Sequence, residues 1–65
     1  MNKQDMIDTL YRKIVNNRNE AEHYARLCVE QPESIVQWKE LQGWYEGRVS
    51  AYQNAKRMLE ECLSQ

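Results

Sequence analysis

The chain has 65 residues, 42% of them hydrophobic and 29% charged, with nine basic residues against ten acidic ones for a net charge of −1. That length allows one small domain, and the near-neutral balance creates no long-range field to draw in nucleic acid or an anionic membrane. The composition excludes disorder, yet a chain this short buries only about 60% of its unfolded surface and has little stability to spare without a staple or a partner.

Asn2 is placed to cap a first helix, with Asp5 three residues on in its first turn. From there Ile7, Leu10, Ile14, Asn17, Ala21, Tyr24 and Cys28 follow an unbroken alternation of three- and four-residue steps. That spacing lines up one seam of a helix, predicted to run from about residue 3 to about residue 30. The row behind the seam, Asp5, Arg12, Asn19 and Arg26, is wholly polar, as an outward face must be. Met6, Tyr11, Ala25 and Leu27 widen the apolar side. Asp8 with Arg12, and Glu22 with Arg26, stand at ion-pair spacing, each pair contributing a few tenths of a kcal/mol.

Gln31-Pro32-Glu33 reads as the turn. Proline suits the first position of a new helix, and Glu33 favours its positive end. A second helix then extends from about residue 34 to about residue 63, with Trp38, Leu41, Tyr45, Arg48, Tyr52, Ala55, Leu59 and Cys62 on its seam. Lys39, Glu46, Gln53 and Glu60 form a polar back row. Trp44, Val49, Ala51, Met58 and Leu63 broaden the apolar stripe. The fold class expected is therefore all-α: an antiparallel two-helix hairpin of coiled-coil type, making a single domain. One partner helix cannot cover a stripe so broad, so two hairpins are expected to pair as a homodimeric four-helix bundle.

The middle of the hairpin is chemically soft. An antiparallel turn at Pro32 sets Asn17 level with Arg48, the two polar seam residues. Asn16, Asn17 and Asn19 are mediocre helix formers, and Gly43 and Gly47 each cost about 1 kcal/mol against alanine in a helix interior. Three readings are open. Asn17 and Arg48 can bond across the seam and set register. Asn19 can cap a new helix, with Glu22 completing the box, which would give three helices. Or Gly43, Gly47, Ala51 and Ala55, recurring every four residues, can admit another chain closely or kink the helix.

Chemistry-bearing motifs are sparse. Glu20-x-x-His23 has the carboxylate–histidine spacing of di-iron bundles, but the pair sits off the seam and does not repeat in the second helix, so no metal and no cofactor are expected; a metal-binding bundle completed by a second copy is the remote alternative. No nucleophile stands beside a base and no glycine-rich loop cradles phosphate, so the chain does not read as an enzyme. Arg12, Lys13 and Arg18, and Lys56 with Arg57, are interrupted by acids, which argues against a nucleic-acid stripe; an oligomer adding up these patches is the alternative reading. Cys28 and Cys62 fall at opposite ends of a hairpin, roughly 40 Å apart, too far for a disulfide, and read as small apolar residues.

The aromatic residues are the best functional signal. Two tryptophans and four tyrosines, with no phenylalanine, all carry a polar edge that suits interfaces. Trp38, Trp44, Tyr45 and Tyr24, with Met58, Val49 and Tyr11, are the candidate interface residues for the partner copy or for another, unidentified protein. With no signal peptide and no apolar run able to span a bilayer, a cytoplasmic location away from the membrane is expected.

Overall fold

In the computed structural model, residues 2–64 are described, Leu63 and Ser64 by their helical backbone alone. Two α-helices, α1 (Lys3–Glu30) and α2 (Ile35–Ser64), are joined by a single 3-10 turn at Pro32–Ser34. The described residues contain no strand. They form a rod of 50 × 14 × 14 Å, two helices wide along its whole length.

Each junction has a local cause. Asn2 is extended (φ −88°, ψ 175°) and its side-chain oxygen accepts from the Asp5 amide at 2.8 Å, which satisfies one of the donors that a helix start leaves free. At the other end Pro32 disfavours helical geometry in the residue before it, and Gln31 departs to φ −132°, ψ 67°. The Gln31 amide still closes back on the Leu27 carbonyl at 2.8 Å, while the Gln31 carbonyl accepts from Ser34 N at 3.2 Å and from the Trp38 indole at 3.0 Å. The indole thus ties the first full turn of α2 to the end of α1. No described residue needs a positive φ to make this reversal.

The helices run antiparallel with their seams facing. Tyr24 stacks on Trp38 at a centroid distance of 6.0 Å, and Lys13 lies 5.9 Å from the centre of the Tyr52 ring. The core is thin and one-sided. Ile7, Ile14 and Ala21, spaced by seven on α1, are its buried apolar residues, and Asn17 is buried among them. None of the described α2 residues is buried to that degree. The seam of α2 carries the rings of Trp38, Tyr45 and Tyr52 and the Arg48 guanidinium, all half-buried, as large side chains with polar edges are when one neighbouring helix faces them.

Several expectations change. Helix α1 passes through Asn16–Asn19 without a break, so the three-helix alternative is set aside. Asn17 donates to the Lys13 carbonyl at 2.7 Å and Arg48 to the Tyr52 hydroxyl at 3.2 Å. Each polar seam residue bonds on its own helix, and among the described residues no hydrogen bond joins Asn17 to Arg48 across the seam. Asparagine is short enough to reach back one turn, and that local bond competes with a cross-helix one. Neither Asp8–Arg12 nor Glu22–Arg26 closes: Asp8 accepts from Gln4 instead, and the ion pair among the described residues is Lys56–Glu60 at 2.8 Å. Cys28 is half-buried but Cys62 is exposed, so only the first behaves as an interior residue; both are free thiols.

Candidate functional site

The aromatic residues divide into two groups. Near the turn, Tyr24 lies between Trp38 and Tyr45, nearly coplanar with the latter (11°, centroids 5.7 Å apart), and His23 meets Tyr24 edge-on at 5.2 Å. Tyr24, Trp38 and Tyr45 are half-buried and act chiefly as the upper part of the seam. Such stacked pairs add about 0.5–1.5 kcal/mol each beyond their area. Trp44 stands outside this stack. Its ring meets Tyr45 at 76° and 4.8 Å, and 55% of it remains exposed.

Arg48 links Trp44 to Tyr52. Its guanidinium carbon lies 4.7 Å from the Trp44 centroid and 5.9 Å from that of Tyr52, whose hydroxyl it also contacts. The hydrogen bond from Arg48 is the main cause holding the Tyr52 phenol below the ordinary tyrosine range, helped by the charges of Arg48 and Lys13 and opposed by desolvation. Two seam residues, Arg48 and Tyr52, and the flanking Trp44 are thereby linked along one helix face, one turn apart.

At the open end of the hairpin an apolar groove of about 560 Å³ runs between the helices, lined by Met6, Leu10, Ala55, Met58, Leu59 and Cys62, with Thr9 its polar wall residue. Met58 is 63% exposed and Met6 41%. A second depression, of about 540 Å³, lies beside Trp44, between Gln37, Glu40 and Leu41. Of the other sequence candidates, Tyr11 is exposed on α1 and Val49 is half-buried. The side chain of Leu63 lies outside the described residues.

Gly43 and Gly47 play no part in packing the two helices together. A Cβ at either position would have no neighbour within 4 Å, and α2 stays helical through both. Ala51 is exposed and Ala55 half-buried, so the row leaves the seam rather than following it. Glu20 and His23 are both exposed, and no group of three or more potential metal ligands occurs among the described residues.

Three exposed residues escaped the sequence reading: Val29, Ile35 and Val36 bracket the turn, with Val29 82% and Val36 71% exposed. They fall off the three-four spacing, so periodicity alone passes over them. Their clustering around the only proline was the signal available.

Among the described residues no helix is long and apolar enough to cross a membrane. Comparison with protein-family models, with curated proteins and with solved structures finds no match to this chain. The fold and its surface define an all-α helical hairpin whose apolar stripe is wider than its partner helix covers.

Proposed function

We propose that this chain is a non-catalytic protein–protein interaction module, a small regulator, adaptor or assembly subunit, whose hairpins self-associate into a dimeric four-helix bundle. The observation that carries this reading is the mismatch between core and surface. Among the described residues only Ile7, Ile14 and Ala21 are buried apolar residues, while Met6 and Met58 stand exposed along an apolar groove and Trp44 beside a second depression. A two-helix rod with so small a core gains its missing burial most cheaply from a second copy, which brings the same stripe.

Sedimentation equilibrium at micromolar concentration tests this directly. A dimer that dissociates on dilution, with loss of helix content, is expected. A stable helical monomer would refute self-association. Trp44→Glu should weaken the dimer at least tenfold, since a charge at a desolvated aromatic site costs more than about 1.4 kcal/mol, while the remaining dimer keeps its helicity.

A further inference from the structure

Met6, Trp44 and Met58, three of the seven large apolar side chains that stand exposed among the described residues, share one flank of the seam. By heptad position that flank consists of Met6, Lys13, Glu20 and Leu27 on α1, and Gln37, Trp44, Ala51 and Met58 on α2. The groove at the open end and the depression beside Trp44 both lie on this flank. On the opposite flank Tyr11 and Ile35 are exposed and Val49 is half-buried, while Val29 and Val36 lie off both flanks.

Two symmetric ways exist to close this flank with a second hairpin. If the turns lie at the same end, each α1 runs beside the partner's α2 in the register the hairpin itself uses. Lys13 then faces the partner's Ala51, and Glu20 faces the partner's Trp44, so both charges meet apolar surface. If the turns lie at opposite ends, each helix runs beside its own copy, reversed. The α1 row then pairs Met6 with the partner's Leu27 and Lys13 with the partner's Glu20. The α2 row sets the large Trp44 ring beside the partner's Ala51, one of the smallest side chains available.

The same two-fold axis serves both helices. The Lys13–Tyr52 contact and the Tyr24–Trp38 stack fix a register in which the midpoint of Lys13 and Glu20 lies level with the midpoint of Trp44 and Ala51. That level is the Asn17–Arg48 layer. Gly47 lies there too, and its own chain leaves the space above it open. Within the hairpin the Glu20 carboxylate has no hydrogen bond or ion pair among the described residues, and the Lys13 ammonium has only the Tyr52 ring.

We propose that a second copy of this chain docks on this flank with its turn at the opposite end, so that Lys13 of each hairpin pairs with the partner's Glu20 across a two-fold axis at the Asn17–Arg48 layer. The inference rests on the self-association reading and adds its face and orientation. Flanking charges of this kind contribute modestly to affinity but decide which arrangement is adopted, because the wrong one leaves them opposite apolar or like-charged groups.

Charge reversal tests the pairing. Lys13→Glu and Glu20→Lys should each weaken dimerisation about tenfold by placing two like-charged pairs in every dimer, and the double variant should recover most of the wild-type affinity. Both positions are exposed in the single hairpin, and circular dichroism at high concentration confirms that each variant still folds. A spin label on Cys62 in a Cys28→Ser background reports orientation: reversed copies put the two labels about 40 Å apart, whereas turns at one end bring them within about 20 Å. A dimeric wild type with the short distance, or with no rescue in the double variant, overturns the orientation and leaves self-association standing. A wild type that stays monomeric at micromolar concentration overturns both.

Discussion

The guanidinium of Arg48 lies over the indole of Trp44, 4.7 Å from its centroid, and from that position donates to the Tyr52 hydroxyl one turn further on. A cation at a seam position is thus satisfied by two rings of its own helix. It therefore has no need of Asn17.

Tyr52 should begin to ionise below the ordinary tyrosine range when tyrosinate absorbance is followed with rising pH. The Arg48 hydrogen bond favours its phenolate in the folded chain, so folding gains a small stability above the ordinary tyrosine range. That gain is lost as pH falls through the lowered value in the folded chain, and at neutral pH the group contributes none. Arg48→Gln should return the early tyrosine to the ordinary range. An unchanged titration would show that the phenol is not held by Arg48 in solution.

Asn17→Leu should raise the melting temperature by about 5 °C, corresponding to about 1 kcal/mol in a domain of this size. Asn17 bonds only to the Lys13 carbonyl, which also receives the ordinary helical amide, so its loss orphans no acceptor. Leucine adds helix propensity and apolar burial at a site only 8% exposed. A fall in melting temperature of similar size would mean that the amide finds a partner in the assembled protein.

Ile14→Ala should cost about 3 kcal/mol. Ile14 is the most deeply buried residue of the described core, at 4% exposure, and few other side chains share its load. In urea denaturation the variant should show most of its helical signal lost without denaturant. A loss below about 1 kcal/mol would mean that the site collapses around the smaller side chain.

Gly43→Ala should stabilise α2 by about 1 kcal/mol, because alanine fixes the helical backbone at lower entropic cost and meets open space. Gly47→Ala meets equally open space in the single hairpin. Where two α2 helices run side by side it should gain less, and comparing the two variants by thermal melts at high and low concentration separates these effects.

Much of the architecture was legible in the residues themselves. The Asn2 cap, the Pro32 turn and the phase of both seams follow from local rules that hardly depend on the rest of the fold. Reversal at Pro32 sets Tyr24 level with Trp38, but that their rings stack is known only from the structure. The behaviour of Asn17 and Arg48 was not legible either: heptad position says which way a side chain leaves its helix, but not whether it bonds across the seam or back along its own backbone. The ion-pair spacings failed for a related reason. Exposed pairs are worth only a few tenths of a kcal/mol, so another acceptor or solvent displaces them easily.

The sequence by itself determined that this chain makes two amphipathic helices reversing at Pro32, because periodicity, capping and proline geometry are local properties. Only the tertiary structure decided how unequally the two helices share the burial. The small seam residues Ile7, Ile14 and Ala21 of α1 are buried, while Trp38, Tyr45 and Tyr52 of α2, too large to be enclosed by one partner helix, are only half-buried. Relative side-chain size across a packed seam sets that division, and it leaves Trp44 and the Met6–Met58 groove uncovered on a single flank.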